Sequence, residues 1–160
     1  MNNFSEIYQI YYQRVFRFLL SLSGDRQQAE DLAQEVFYRA LLHIQQYREN
    51  ESMFTWLCNF GKNAWLNECR KQTRLVPLED NLQDFAPDLE TSLEEQEQKA
   101  LLRKAILELP TDYQDVVILH IYGEVSLREI AIRKGKSESW GKVTFYRAKR
   151  ILTQKLEGLR

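Results

Sequence analysis

The C-terminal run SESWGKVTFYRAKRILTQKLEGLR sets cations, hydroxyls and aromatics at helical spacing. Ser139, Lys142, Val143, Tyr146 and Arg150 fall on one face of a helix, with Arg147 and Lys149 flanking it. From Arg128 to Arg160 there are ten basic and three acidic side chains. This is the equipment of a DNA reader. The N-terminal turn of a helix approaches the bases, Lys and Arg reach base edges or phosphates, and the remaining cations grip the backbone. The plainer alternative is a basic, solvated helix.

A second group lies in the N-terminal half. Trp56, Asn59, Lys62, Asn63 and Arg70 share one predicted helix, preceded by a short loop with Tyr47, Arg48 and Asn50. Aromatics beside amides and cations suit single-stranded bases, which stack on rings and hydrogen-bond through exposed edges. The same spacing also builds cores, and at least one of Trp56 and Trp65 is expected to be purely structural. A third group, Asp31, Gln34, Glu35, Tyr38 and Arg39, forms a polar face of mixed sign, either solvated or able to dock a partner helix. None of these sets does covalent chemistry. His43 and His120 stand apart from any Ser, Cys or carboxylate in a catalytic pattern, so no catalytic residue is assigned.

The elements that must carry these groups are all helical. In the first predicted helix, about 4–22, Ile7, Tyr11, Val15, Phe18 and Leu22 form the inner face. Gly24 and Asp25 break it, and Asp25 can cap the next helix. There Ala29, Leu32, Ala33, Val36, Phe37, Ala40, Leu41 and Ile44 make the cleanest amphipathic stripe of the chain. A third helix spans about 52–73. After a stretch with Pro77 and Pro87, a helix is expected over 92–108, ending at Pro110. Thr111 with Gln114, and Ser126 with Glu129, have the form of capping boxes opening helices at 112 and 127. Gly135 gives a turn, and Ser137 caps a last helix to about Leu156, with Gly141, Phe145, Ala148 and Leu152 inward. The pair 126–134 and 137–156 has the proportions of a helix-turn-helix. The fold class is therefore all-α: two small helical domains, 1–75 and 96–160, joined by an acidic linker, 76–95.

Charge supports the division. The chain has 160 residues and a net charge of -1. Residues 1–75 carry +1 (9 basic, 8 acidic), 76–100 carry -7 (1 basic, 8 acidic) and 101–160 carry +5 (12 basic, 7 acidic). A neutral total thus hides a basic reader behind an acidic segment. No apolar run approaches the ~20 residues of a spanning helix, and no secretory signal opens the chain, so a cytoplasmic location is expected. Cys58 and Cys69 on one helix would lie roughly 16 Å apart, too far for a disulfide. No Cys/His cluster suggests a metal, and no cofactor is expected.

The strings GDRQQAEDLAQEVFYRALLHI, TWLCNFGKNAWLNECRK, an acidic linker, ILELPTDYQDVVIL and SLREIA…KSESWGKVTFYRAKRIL, in that order, resemble the extracytoplasmic-function sigma factors, the small two-domain initiation subunits of bacterial RNA polymerase. The resemblance covers nearly the whole chain. It implies that Asp31, Gln34, Glu35 and Tyr38 face the clamp helices of the largest subunit of core RNA polymerase, with Phe37 in the same motif. A further contact is implied with the flap of the second-largest subunit. The loop Tyr47, Arg48 and Asn50, with Lys62 and Asn63, would capture a flipped base of the -10 element. Ser139, Lys142, Val143, Tyr146, Arg147 and Arg150 would read the -35 element as duplex. The resemblance also implies an anti-sigma factor, membrane-associated, that holds the protein at the inner face of the membrane. The chain departs from the family pattern at Trp140 and Gly141, which occupy slots usually filled by Thr and Val. Because Gly costs about 1 kcal/mol in a helix interior, Trp140 is expected to pack where Val would. The competing reading is a free-standing helix-turn-helix regulator that binds duplex DNA without polymerase.

Overall fold

A computed structural model describes residues 3–75 and 92–158. The expected linker lies largely outside the described residues. Within them are seven α-helices and no strand: α1 (Phe4–Ser23), α2 (Arg26–Leu42), α3 (Met53–Leu75), α4 (Leu93–Leu107), α5 (Thr111–Val117), α6 (Leu127–Arg133) and α7 (Glu138–Glu157). They form two compact units, α1–α3 and α4–α7. α4 begins at Leu93, within a residue of the expected start at 92, because Ser92 accepts from the Glu95 amide (3.2 Å) and caps it there.

In the first unit the punctuation follows the local chemistry. Asn3 accepts from the Ser5 amide at 3.0 Å and opens α1. Gly24 closes it in the left-handed region (φ 72), its N–H donating to the Leu20 carbonyl at 2.8 Å. Asp25 Oδ1 then accepts from the amides of Gln27 and Gln28. Ser52 Oγ does the same for Thr55 at 3.1 Å. The three helices bury Val15, Phe18, Leu19 and Leu22 of α1 against Ala29, Ala33, Val36 and Ala40 of α2 and Leu57, Cys58 and Trp65 of α3. Each large apolar side chain so buried contributes about 1.5–3 kcal/mol. Along another flank of α1, the rings of Phe4, Tyr8 and Tyr12 meet Phe37 of α2 with centroids 5.0–6.4 Å apart. Gly61 lets α3 sit close, since a Cβ there would lie 3.2 Å from Leu19 Cδ2 and Phe18 Cε2. Leu41 departs from the expected stripe. It is 49% exposed, because α2 stops at Leu42 and a 3-10 turn, Ile44–Gln46, redirects the chain before position 41 can be covered. Cys58 is buried and Cys69 half-buried, and neither forms a disulfide.

In the second unit α4 ends before Pro110 as expected, but the capping box after it does not form. Pro110 occupies the N-cap and offers no side-chain acceptor. Gln114 turns inward instead, its Nε2 donating to the carbonyls of Ile106 (3.1 Å) and Leu107 (3.4 Å) in the last turn of α4. The helix that begins at Thr111 widens to π geometry over Ile118–Tyr122, with Ile118 and Leu119 buried. The left-handed residue of the following turn is Glu124 (φ 56), not Gly123. His120 Nδ1 donates to the Val125 carbonyl (2.8 Å), and its ring packs edge-on against Phe145 (4.7 Å). Lys134 Nζ fastens α6 to α5 through Asp115 (2.5 Å) and Asp112 (3.0 Å). Burial disfavours its charge, but the hydrogen bonds it donates to the Asp115 and Asp112 carboxylates, and their charge, outweigh this and raise its pKa. Lys155 pairs with Glu108 at 2.7 Å and ties α7 to α4. That hydrogen bond and charge hold the Glu108 carboxyl below its ordinary range.

The inner face of α7 is Gly141, Thr144, Ala148 and Leu152. Phe145 is only half-buried, and Thr144 takes the inward place beside it. The Val slot is filled by nothing. A Cβ on Gly141 would stand 2.8 Å from the Leu127 carbonyl oxygen and 3.4 Å from Ala131 Cβ. Close approach of α7 to α6 therefore requires glycine here, and Trp140 does not pack in its stead.

Gly141→Ala is expected to lower the stability of the C-terminal unit by about 1–3 kcal/mol, the usual cost of overpacking. Gly158→Ala, where a Cβ meets only ordinary contacts at 3.6 Å, should be neutral. Thermal unfolding of the two variants side by side checks this, and equal melting would refute the close-approach role of Gly141.

Candidate nucleic-acid interfaces

The loop between α2 and α3 is built from the backbone outward. The 3-10 turn closes with the Tyr47 amide donating to the Ile44 carbonyl at 3.2 Å. Tyr47 Oη reaches forward and donates to the Glu51 carbonyl at 2.7 Å. Its ring lies edge-on to Trp56 (5.3 Å), Trp56 is edge-on to Phe60 (4.9 Å), and His43 stacks on Phe60 (6.1 Å). Tyr47 is thus the anchor of the loop rather than its tip. Arg48, Glu49 and Asn50 are left exposed. Trp56 and Trp65 are both buried, so both are structural.

The same aromatic row leads to a concavity of about 340 Å³ lined by Arg39, Phe60, Asn63, Ala64, Leu66, Asn67 and Arg70. Asn63, Asn67 and Arg70 step by 4 and 3 along α3 and share a face. Arg70 Nη1 donates to Asn67 Oδ1 at 3.0 Å, which leaves the exposed Asn63 amide open to a ligand edge. Amides, a ring and two guanidinium groups around one hollow can hold a planar, hydrogen-bonding ligand such as a base. Asn67 and Arg39 join the hollow beyond the residues expected from the sequence, and the i+4 step from Asn63 is the signal that marks Asn67.

Lys62 corrects that reading. It is 5% exposed and lies on the buried stripe with Cys58 and Leu66, four residues to either side. Among the described residues every buried side-chain nitrogen and oxygen has a hydrogen-bond partner. Lys62 is therefore an interior group, not a displayed cation. On α2, Asp31, Gln34, Tyr38 and Arg39 are exposed and Glu35 is half-exposed. Gln27 Nε2 donates to Asp31 (3.1 Å) and Arg39 pairs with Glu35 (3.3 Å). This polar face ends in bare apolar surface, with Tyr38 64% and Leu42 60% exposed beside Leu41.

In the second unit Ser126 Oγ accepts from the Glu129 amide and opens α6. Gly135 turns the chain at φ 70, while the Lys136 amide donates to the Ala131 carbonyl at 2.8 Å. Ser137 Oγ accepts from the Trp140 amide and opens α7. All six residues assigned to duplex reading, Ser139, Lys142, Val143, Tyr146, Arg147 and Arg150, are exposed. Trp140 is half-buried and lines a cleft of about 720 Å³ with Pro110, Tyr113, Val143 and Arg147. Among the described residues no cluster of His, Cys, Asp or Glu could hold a metal. No described helix is long and apolar enough to cross a membrane.

Comparison with known proteins adds to this geometry. The model for Sigma-70 region 2 matches residues 7–75, and that for Sigma-70, region 4 matches residues 93–152. The chain is 34% identical over 149 residues to the ECF RNA polymerase sigma factor SigM of Bacillus subtilis (strain 168), covering 92% of this chain and 91% of that protein. It is 29% identical to the RNA polymerase sigma factor YlaC of the same strain, over 92% of this chain and 88% of the other. Among solved structures, the sigma factor RpoE, in complex with the anti-sigma factor NepR from Bartonella quintana, shares the fold at a TM-score of 0.61 and 24% identity, with 98% of each chain covered.

Tyr47→Phe removes the hydroxyl that closes the loop and keeps the ring against Trp56. Losing about 1 kcal/mol of hydrogen bonding should speed amide hydrogen exchange at 48–51 roughly fivefold, with Trp fluorescence unchanged. Unaltered exchange would show that the hydroxyl does not anchor the loop.

Proposed function

Because the chain belongs to the extracytoplasmic-function RNA polymerase sigma factors, transcription initiation factors and not enzymes, we propose that it directs core RNA polymerase to one class of promoter through two separate DNA-reading surfaces. The α1–α3 unit docks on polymerase and holds the opened -10 strand. The α4–α7 unit reads the -35 duplex. The observation that carries this reading is the exposed strip Ser139, Lys142, Val143, Tyr146, Arg147 and Arg150 on a capped helix-turn-helix, in one chain with the loop and amide-lined hollow of the first unit.

Each surface has a physical task. On α7, Lys142, Arg147 and Arg150 supply charge for phosphates and base edges, while Val143 and Tyr146 offer apolar contact to groove methyls. Phosphate contacts set register, and the base edges set choice. In the first unit the 47–51 loop and Asn63 take up an unstacked base. Extruding a base costs a few kcal/mol, so the site must be preformed, and the Tyr47–Trp56 packing supports this. Asp31, Gln34, Glu35 and Tyr38 face the clamp helices of the largest polymerase subunit, and the second unit meets the flap of the second-largest. The protein acts in the cytoplasm. An anti-sigma factor, as NepR is for the RpoE of similar fold, is its natural regulator, and a membrane-bound one would hold it at the inner face of the membrane.

In vitro transcription of genomic fragments with core polymerase and this chain should yield initiation from a small set of promoters that core polymerase alone ignores. Absence of any specific initiation, with duplex binding by the free chain, would favour a polymerase-independent regulator.

Reversing charge at Asp31 and Glu35 should weaken binding to core polymerase about tenfold, the scale of one lost charge-assisted contact. The internal cost is small, since the exposed Glu35–Arg39 pair is worth about 0.3–0.5 kcal/mol. Unchanged affinity would remove these residues from the docking face.

A further inference from the structure

Trp140 stands outside the core of the second unit. It is half-buried and lines the cleft of about 720 Å³ between the start of α5 and the first half of α7. Ser139, Val143 and Arg147, three of the six residues of the exposed strip, line the same cleft, so it opens beside the proposed reading face. Trp140 and Arg147 are seven positions apart, two turns of α7, and share one flank of it. Tyr113, half-buried, lines the cleft from α5.

The lining is rich in donors. Among the described residues, the Trp140 indole N–H, the Tyr113 hydroxyl and the Arg147 guanidinium bind no other protein group. Asp112 is the one carboxylate of the described lining, and Lys134 Nζ already binds it at 3.0 Å. Trp140 and Val143 add apolar surface. A free cation, open donors and apolar surface together fit an anion carried beside an apolar ring. Phosphate next to deoxyribose is such a unit, repeated along every DNA strand. A helix seated in the major groove, about 12 Å wide, has one strand along each flank. The flank of α7 with Trp140 and Arg147 would therefore meet a strand, not a base edge.

We propose that this cleft is a backbone clamp, which seats one phosphate and its deoxyribose at the edge of the -35 duplex. The inference rests on the proposed -35 reading and deepens it. Arg147 and the Tyr113 hydroxyl hold the phosphate, and Trp140 packs on the sugar. Tyr113 belongs to another helix, so the clamp ties α5 and α7 to the same strand. Backbone contacts fix register and orientation without choosing a base, and the clamp thereby sets how α7 enters the groove. An acidic peptide could satisfy the same donors. Seated over Ser139, Val143 and Arg147, however, it would exclude DNA from the strip. The ten basic and three acidic residues from Arg128 to Arg160 favour the strand.

The test uses the full chain with core polymerase on a promoter found by the transcription assay. Each phosphate bordering the -35 element is replaced in turn by a neutral methylphosphonate. With the unaltered chain, one linkage should cost about tenfold in affinity, the scale of a hydrogen bond to a charged group. Tyr113→Phe, which removes only a hydroxyl, and Trp140→Ala, checked for an unchanged melting temperature, should each weaken binding by a similar factor on every -35 sequence. In Tyr113→Phe the neutral linkage should cost little more, because the two changes remove one contact. Fully additive losses at every linkage would refute the clamp. Full affinity in both variants would refute it as well. An altered base preference in Trp140→Ala would make Trp140 a base reader instead, and weaker binding to core polymerase with an unchanged DNA response would assign the cleft to a protein partner; either outcome overturns the proposal. Binding that ignores the -35 sequence altogether, with the unaltered chain, would count against the -35 reading itself, and the clamp would fall with it.

Discussion

In both units the helix that carries the reading face is seated by a glycine. Gly61 brings α3 against Phe18, Leu19 and Val36 of α1 and α2. Gly141 brings α7 onto the backbone of α6 at Leu127. A glycine in a helix interior costs about 1 kcal/mol in propensity. Here the contact it allows repays that, because packed interiors tolerate neither gaps nor overlap. Both proposed DNA-reading faces depend on this seating. If α7 stood off from α6, the tight turn at Gly135 and the Ser137 cap would aim its first turn elsewhere. A slightly displaced α3 would carry Asn63, Asn67 and Arg70 with it.

Small helical units of roughly seventy residues have little surplus stability, and this chain spends side chains on joining helix ends. Gln114 binds the last-turn carbonyls of α4. Lys134 binds α6 to the start of α5 through two carboxylates, and Lys155 binds α7 to Glu108. In the first unit rings take that part. Phe4, Tyr8 and Tyr12 gather on Phe37, while Tyr47, Trp56 and Phe60 hold the loop to α3. The two units thus reach rigidity by different means, polar ties in one and aromatic packing in the other.

What the sequence made legible was local. Asp25, Ser126 and Ser137 cap where their types and positions require, and Gly135 turns where only a left-handed residue fits. The exposed strip of α7 followed from periodicity and charge. The errors came where a partner distant in sequence decides. Gln114 looked like half of a capping box until the carbonyls of α4 offered better acceptors. Lys62 looked displayed because charge is usually outside, yet its helical phase matches Cys58 and Leu66. Leu41 followed the apolar stripe of α2 faithfully, but the helix stops one residue later and nothing covers it. Gly141 read as a weakness, since its value lies in the Leu127 backbone opposite, which no spacing rule can supply.

The separation of faces on α7 has a consequence for specificity. The residues that fix the helix, Gly141, Thr144, Ala148 and Leu152, are buried, whereas the six proposed to meet DNA are exposed. On the proposed reading, substitution on the outer face would change promoter choice at little cost in folding, since exposed positions usually shift stability by no more than about 0.5 kcal/mol. The loop of the first unit follows the same logic. Tyr47 anchors it from within, and Arg48 and Asn50 stand exposed. A fold built this way keeps one scaffold and changes what it reads. The net charge of -1 fits the same reading: a strongly basic reader, unbalanced, would be held on non-specific DNA by counterion release alone, and the acidic run over 76–100 offsets its charge within one sequence.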